Sequence, residues 1–217
     1  MMIRGGRFVA TAVVAACLGG VLSACAPVVL GGAAMSVLVA TDRRTSGAQL
    51  EDEGIQLRAA GRIRESVGDR VHVNITSYNR QVLLTGEVPS AQDRQLVEQI
   101  VSRVENVRSI VNELGVMGNS TLTQRSSDSL TTGRVKAAMV DAKDIFANSF
   151  KVVTERGTTY LMGRVTQREA NRATDITRST SGVQRVVRVL EIITEEELQR
   201  TLPQEPAKPA SATPAKP

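Results

Sequence analysis

The hydrophobic and polar positions of this chain follow the same order in its two halves. In the first half, Ile55, Ala59 and Ile63 recur every four residues, which predicts a helix with one apolar face. Over 71–75 and again over 82–88, apolar residues alternate with polar ones, as they do in half-buried strands. We therefore expect a helix that is followed by a β-hairpin.

The first half continues with a second helix and a third strand. Asn79-Arg80 is predicted to form the tight turn of the hairpin, and Ser90 opens a helix with an acidic residue three positions later, close to a capping box. A last strand is expected over about 107–116. Residues 47–118 are therefore predicted to form one domain with the order αββαβ.

The second half, over 126–194, repeats this order. A helix begins near Ser129, a hairpin turns at Arg156-Gly157, and Thr166 begins a capping box for the next helix before a final strand. An amphipathic helix needs a sheet on which to bury its apolar face. Each unit is therefore predicted to be a three-stranded mixed sheet with two helices on one face, and the fold class is α+β.

One glycine interrupts the middle strand of each unit at a matched, inward position. Gly86 lies in LLTGEV and Gly163 lies in YLMGRV. Since a glycine inside a strand marks close approach of another group or a bend, we expect each to leave room for a helix lying on the sheet. A phosphate-binding role is the alternative, but neither strand leads into a GxGxxG or P-loop pattern.

The other face of the second sheet also carries large apolar side chains. Its predicted outward residues are Lys151, Val153, Tyr160, Met162 and Arg164. Large apolar patches on a soluble domain usually mark contacts, so we expect this face to pack against the first unit.

The N-terminus has the features of a bacterial export signal. Arg4 and Arg7 precede an apolar stretch over 8–21, and small residues lead to a cysteine in LSAC, which ends at Cys25. This pattern resembles a lipobox, in which the cysteine is acylated and becomes the first residue of the mature chain. Ala26 rather than Asp follows it, so the resemblance indicates the outer membrane.

Residues 1–24 are therefore predicted to be removed, and 25–46 to form a lipidated, flexible anchor. Cleavage before Cys17 is an alternative, since VAAC fits the pattern with a shorter apolar stretch of about nine residues. An uncleaved membrane-spanning helix is another, because 8–40 carries no charge. The glycines and the proline within that stretch favour the cleaved signal.

Composition argues against several classes of function. Aromatic residues make up 2% of the chain, so the cores must be aliphatic. Both cysteines lie in the first 25 residues and His72 is the single histidine, so we expect no Cys/His metal cluster and no cofactor. No GxSxG, HExxH or CxxC motif is present, so we predict neither a catalytic residue nor an enzyme.

Charge separates the two halves. The whole chain carries +5, which is too small an excess to predict a nucleic-acid partner. Residues 47–118 contain 8 Arg or Lys and 10 Asp or Glu, whereas 119–193 contain 12 and 7, so the second half is the basic one. The tail over 195–217 is acidic and then rich in Pro and Ala, and we expect it to be disordered.

Two αββαβ units with a glycine in the middle strand, behind a lipobox, resemble the dual-BON-domain outer-membrane lipoproteins of the DolP-like, division- and outer-membrane-stress-associated lipid-binding type. The segments that carry the resemblance are TDRRTSGAQLEDEG from Thr41, VNITSYNRQVLLTGEV from Val73 and KVVTERGTTYLMGRVTQREA from Lys151. The resemblance covers about 41–193. It implies an outer-membrane lipoprotein that faces the periplasm, binds anionic phospholipids and supports envelope integrity, with envelope assembly or division proteins as further partners.

The first helix of the second unit is the candidate lipid-binding element. It places three cations beside apolar residues, a combination that suits anionic headgroups; the candidate residues are Leu130, Arg134, Lys136, Met139 and Lys143. The alternative is that Met139 belongs to the core and the cations to a solvated face. The alternative function is a protein-interaction adaptor for outer-membrane assembly or cell-wall machinery, with the lipid anchor only as a tether.

Removing the thiol of Cys25 tests the anchor. We expect a Cys25→Ala variant to incorporate no palmitate during metabolic labelling and to leave the outer-membrane fraction, because several acyl chains are what hold such a protein to a bilayer. Cys17→Ala is the matched control and should label as the wild type does. Palmitate that persists in Cys25→Ala would contradict the lipobox assignment.

Overall fold

The structure, a computed structural model, describes residues 42–201, so the predicted signal, Cys25 and the end of the tail lie outside the described residues. The first unit consists of α1 (Ser46–Val67), β1 (His72–Tyr78), β2 (Gln81–Val88), α2 (Ala91–Ser102), β3 (Ser109–Asn112) and β4 (Gly115–Val116). The second consists of α3 (Leu122–Asp141), β5 (Phe150–Glu155), β6 (Thr158–Thr166), α4 (Gln167–Ser179) and β7 (Arg185–Ile193), followed by α5 (Glu195–Thr201).

Each unit is built on a mixed sheet. In the first, β1 and β2 form an antiparallel hairpin, and β3 and β4 both run parallel to β2. In the second, β5 and β6 form the hairpin and β7 runs parallel to β6. The predicted α+β class with two αββαβ units is confirmed. The last strand expected over 107–116 is divided between β3 and β4, because Leu114 turns into the first core.

Two separate aliphatic cores bury the helices on the sheets. The first core is formed by α1, α2 and alternate residues of β2, and it contains Ile55, Ala59, Ile63, Val82, Leu84, Val88, Val97 and Val101. The second is formed in the same way and contains Val135, Met139, Phe150, Val152, Leu161, Val165, Ala170 and Ala173. The inward residues are those that the alternation predicts, because a strand sends successive side chains to opposite faces.

Both hairpins turn where the sequence predicts, through two residues with left-handed backbone angles. Asn79 and Arg80 have φ values of 50° and 63°, and Arg156 and Gly157 have 49° and 71°. Two successive positive φ angles give a turn whose twist matches that of the paired strands.

A buried aspartate from the first helix of each unit holds this turn. The carboxylate of Asp52 accepts hydrogen bonds from the backbone N–H groups of Asn79 and Arg80 at 2.7 and 2.8 Å. Asp128 accepts the same pair of bonds in the second unit at 2.8 and 2.9 Å. The two aspartates thus fix the end of each hairpin to a helix.

The two strand glycines face backbone. A Cβ atom on Gly86 would lie 2.1 Å from the carbonyl oxygen of His72, and one on Gly163 would lie 2.5 Å from that of Ser149. Gly86 also has a φ of 111°. Close approach at both positions is confirmed, but the expectation that a helix makes it is wrong, because the chain entering the neighbouring strand is the nearest group.

The outer faces of the two sheets pack against each other. Tyr78 and Leu83 of the first unit and Tyr160, Met162 and Val189 of the second form a third buried cluster. The Nζ atom of the half-buried Lys151 donates to the carbonyl oxygen of Ser77 at 3.2 Å beside it. The expectation that the outer face of the second sheet packs on the first unit is confirmed.

The residues before α1 join the two units. The Arg43 guanidinium donates to both carboxylate oxygens of Glu169, in the first turn of α4, at 2.7 and 2.6 Å, and both side chains are buried. Arg44 pairs with Asp52 at 2.7 Å and lies 4.3 Å from the centre of the Tyr78 ring. Two adjacent arginines thus contact different units.

Two predicted boundaries differ from the structure. Helix α3 begins at Leu122 rather than near Ser129, because the Thr121 side chain accepts a hydrogen bond from the backbone N–H of Gln124 and caps an earlier turn. The tail, expected to be disordered from residue 195, begins with helix α5, because Leu198 is buried and the Thr194 side chain caps this helix.

An alanine at Gly163 tests the close approach to Ser149. The added methyl group has to push the neighbouring carbonyl oxygen away, and overpacking of this kind costs about 1–3 kcal/mol. We expect a lower melting temperature for Gly163→Ala. Gly61→Ala is the control, because a Cβ atom there meets nothing within 4 Å on helix α1 and alanine favours a helix. Equal melting temperatures for Gly163→Ala and the wild type would contradict the role of this glycine.

The Arg43–Glu169 pair predicts a pH dependence of stability. Burial alone would raise the pKa of Glu169, but the Arg43 guanidinium and the backbone N–H of Thr166 outweigh it and hold this pKa below its ordinary value. A lowered pKa in the folded state adds stability above the unfolded value of about 4.3, and this stability is lost as the pH falls through the folded value.

The wild type should therefore melt at a higher temperature than Glu169→Gln at neutral pH, and the difference should close below about pH 4. Thermal unfolding of both proteins across this range measures it. A difference that does not change with pH would show that the ionised carboxylate is not what stabilises the pair.

Candidate functional site

Helix α3 lies on the second sheet with one side buried and one side exposed. The side that faces the sheet contains the buried residues Asp128, Thr131, Val135 and Met139. Their spacing of three or four residues keeps them on one side of the helix. The opposite side therefore points away from the second core and from the cluster between the two sheets.

An apolar stripe runs along this outward side. Leu130 is 62% exposed and Val140 is 69% exposed, and the small residues Gly133 and Ala137 lie between them at spacings of three or four. We call these four residues the outer stripe. Phe146, which is about half exposed, follows the helix at the same end as Val140. An exposed apolar stripe on a helix is the feature by which amphipathic helices enter a lipid headgroup layer.

Three cations flank the outer stripe. Arg134, Lys136 and Lys143 are exposed, and none of them pairs within 4 Å with an acidic side chain among residues 42–201. Asp144, the acidic residue next to Lys143, pairs instead with Arg172 at 2.8 Å. The surface therefore combines exposed apolar groups with cations whose charge is available to a ligand.

The matching helix of the first unit differs in its charges. Helix α1 also exposes a leucine, Leu57, but Arg58 pairs with Glu51 at 2.6 Å and Arg62 pairs with Glu105 at 3.2 Å. A cation that is already paired offers less attraction to an anion in solution. The asymmetry of charge that the sequence predicts is therefore present on the two helices themselves.

The structure separates the predicted lipid-binding residues into two groups. Leu130, Arg134, Lys136 and Lys143 lie on the surface around the outer stripe, but Met139 is 1% exposed and belongs to the second core. The prediction of Met139 as a lipid-contacting residue is wrong, because it lies on the side of the helix that faces the sheet. The sequence reasoning missed Val140, whose spacing of ten residues from Leu130 on one helix was the available signal.

A cluster of polar side chains lies where the first unit contacts the second. Nδ1 of His72 lies 2.8 Å from Glu87 Oε2, and Arg156 from the second unit donates to Glu87 Oε1 at 2.6 Å. Both the N–H and the hydroxyl of Ser120, in the linker, reach Glu87 Oε2. Burial alone would raise the pKa of Glu87, but these donors, Arg156 first, keep it below its ordinary value.

Glu155 lies beside this group on β5. It is buried, and it accepts a hydrogen bond from the Asn74 amide of the first unit at 2.7 Å. Burial raises the pKa of Glu155, and the nearby negative charge of Glu87 raises it further. Two carboxylates thus lie close together with different proton affinities.

Serine, histidine and glutamate meet here without the geometry of a hydrolase triad. Ser120 Oγ lies 3.5 Å from His72 Nδ1, the same ring nitrogen that contacts Glu87. A triad needs the nucleophile on one ring nitrogen and the carboxylate on the other, so that the ring can pass a proton between them. This arrangement gives no relay and supports no nucleophilic role for Ser120.

None of the helices within residues 42–201 combines the length and the apolar character that crossing a bilayer requires.

Comparison with known families agrees with this architecture. The family model of the BON domain matches the chain twice, over residues 52–118 and 127–194. The chain belongs to the BON-domain family. Its first BON domain is thus the unit of α1 to β4, and its second is the unit of α3 to β7.

Several known proteins are similar to this chain over about half of its length or more. The chain is 36% identical over 174 residues to the outer membrane lipoprotein DolP of Haemophilus influenzae, which covers 79% of this chain and 90% of that protein. It is 27% identical over 154 residues to a 21 kDa hemolysin of Actinobacillus pleuropneumoniae, with 70% and 79% covered. An uncharacterised protein of Anaplasma centrale is 33% identical over 109 residues, with 49% and 72% covered. The resemblance to DolP-like proteins is confirmed.

Proposed function

We propose that this protein is an outer-membrane lipoprotein that faces the periplasm, binds anionic phospholipids through helix α3 of its second BON domain and supports envelope integrity. The name of the Haemophilus influenzae relative and the lipobox at Cys25 support the location. The helix supports the lipid contact. The anchor and the helix then act as two attachments to the same membrane.

The observation that carries the lipid contact is the set of cations around the outer stripe. Arg134, Lys136 and Lys143 surround exposed apolar residues on a side of α3 that neither BON domain covers. The paired Arg58 and Arg62 of α1 are the contrast within the same chain. This difference supports a contact through the second domain rather than through the first.

The expected energies describe a weak, selective contact. Each cation near an anionic surface contributes about 1 kcal/mol, and salt screens this attraction. Leu130 adds about 1–2 kcal/mol when its remaining exposed area enters the headgroup layer. The acyl anchor supplies lasting attachment, so the helix needs only to distinguish an anionic surface from a neutral one.

Vesicle sedimentation of a soluble form that begins after Cys25 tests the contact. Wild type should sediment with phosphatidylcholine vesicles that contain phosphatidylglycerol and not with phosphatidylcholine alone. Arg134→Glu reverses one charge and should weaken the binding free energy by about 2 kcal/mol, which lowers the affinity roughly 30-fold. Leu130→Glu should abolish binding, and added salt should weaken the binding of the wild type.

Two controls on α1 match these changes in chemistry. Leu57→Glu alters a leucine that is at least as exposed as Leu130, and Arg64→Glu reverses an exposed cation on the same helix. Both should sediment as the wild type does, with circular dichroism showing that all four variants fold. If the α1 and α3 variants lost vesicle binding to the same extent, binding would depend only on the net charge of the protein. Undiminished binding by both α3 variants would remove α3 as the site, and a wild type that ignores anionic vesicles would favour the adaptor function.

A further inference from the structure

A compact group of metal-binding side chains spans the contact between the two BON domains. His72 begins β1 and faces Glu87 across the hairpin, since the two residues are direct partners in the strand register. Glu155 ends β5 of the second domain. One nitrogen or oxygen atom from each of these three side chains lies within 4.8 Å of the other two.

We propose that His72, Glu87 and Glu155 bind a divalent transition-metal ion of the zinc type. The ligands would be Nδ1 of His72, Oε2 of Glu87 and a carboxylate oxygen of Glu155. Imidazole and carboxylate ligands bind such ions at about 2.0–2.2 Å, so ligand atoms around one ion lie about 3–4 Å apart. The separations in the structure are close to that range and need only small side-chain movements.

The chemistry of the ligands selects the kind of ion. Calcium and magnesium prefer six or more oxygen ligands, whereas one imidazole with carboxylates suits zinc and its neighbours in the first transition row. The Ser120 hydroxyl lies 3.2 Å from Glu87 Oε2 and 3.5 Å from His72 Nδ1, so it borders the same space. A water molecule or this hydroxyl can complete four-coordinate geometry.

The surroundings orient the ligands. Arg156 holds the other oxygen of Glu87, Oε1, at 2.6 Å and leaves Oε2 turned toward His72. The Asn74 amide holds Glu155 Oε2 at 2.7 Å. Hydrogen bonds of this kind to a ligating carboxylate fix the direction of the ligand atom.

The charge balance of the group also favours a cation. Glu87 is fully buried and Glu155 is 8% exposed. Arg156 neutralises Glu87, but Glu155 has no ion pair among the described residues, and its partner Asn74 is neutral. A buried carboxylate without a counter-charge is costly. A divalent ion beside both carboxylates removes that cost.

Sequence patterns did not indicate this site because His72 is the single histidine and both cysteines lie in the first 25 residues. Only folding brings Glu87 and Glu155 to the imidazole, the latter from the other domain. Since its ligands come from both domains, a bound ion ties the first BON domain to the second. The site lies at the domain contact and away from the outer stripe, so it does not depend on lipid binding.

Titration with Co²⁺ tests the proposal, because Co²⁺ takes zinc sites and absorbs visible light when it is four-coordinate. The full chain, purified in a non-ionic detergent without a polyhistidine tag and freed of metal, should develop this absorption with one ion per chain. Zn²⁺ should remove the absorption and should raise the melting temperature.

Two conservative variants identify the ligands. His72→Gln can still hydrogen-bond to Glu87, and Glu155→Gln can still accept the bond from Asn74, but each lacks a metal ligand. Both should bind Co²⁺ at least 10-fold more weakly, and Zn²⁺ should no longer raise their melting temperatures. Glu191→Gln is the control, because it removes another carboxylate of the domain contact, one that accepts from Asn79 at 2.8 Å, and leaves the three ligands intact.

The outcomes separate a metal site from a purely structural cluster. The proposal is supported if Glu191→Gln binds Co²⁺ as the wild type does and the two ligand variants bind it more weakly. No visible absorption in the wild type, or equal absorption in the ligand variants, would overturn it. If His72→Gln fails to fold by circular dichroism, Glu155→Gln decides the question, because it only removes a charge that burial disfavours.

Discussion

The packing of the two sheets against each other is the constraint on which the rest of this structure depends. Each sheet has one face covered by its helices and a second face that also carries large side chains. Both tyrosines of the chain, Tyr78 and Tyr160, lie in the cluster that fills the space between the second faces. Because this contact is made by the sheets, both helical layers are turned outward. The exposed side of α3 is a direct consequence.

Polar groups at the rim of the contact fix how the two sheets lie on each other. Two ion pairs with a buried carboxylate join the units: Arg43 with Glu169, and Arg156 with Glu87. The Asn79 amide also donates a hydrogen bond to Glu191 across the same contact. A buried carboxylate that loses its partner is strongly destabilising. Sliding of one sheet over the other would break several such pairs at once, so the apolar centre supplies attraction and the rim supplies register.

The sequence predicted most of the fold, because the period of its apolar residues differs between helix and strand. Alternation placed Leu84 and Leu161 inward, and the turns at Asn79-Arg80 and Arg156-Gly157 followed from the gap between alternating runs. Residues whose role depends on distant partners were harder to predict. The spacing of apolar residues in α3 does not show which of them face the sheet, and Met139 was therefore wrongly predicted to contact lipid. The same limit applied to Asp52, Glu87 and Glu155, whose partners lie far away in sequence.

The bond between each helix and its hairpin turn has a consequence for the order in which the chain acquires structure. Asn79 and Arg80 have left-handed backbone angles without being glycine, so their turn is unfavourable by itself. The carboxylate of Asp52 reaches their N–H groups across only 27 and 28 residues, and Asp128 reaches its turn across 28 and 29. Short loops close at low entropic cost. We therefore expect the first helix and the hairpin of each domain to form together, before α2 or α4 docks. In a chain that appears N-terminus first, each domain can then begin to fold independently of the other.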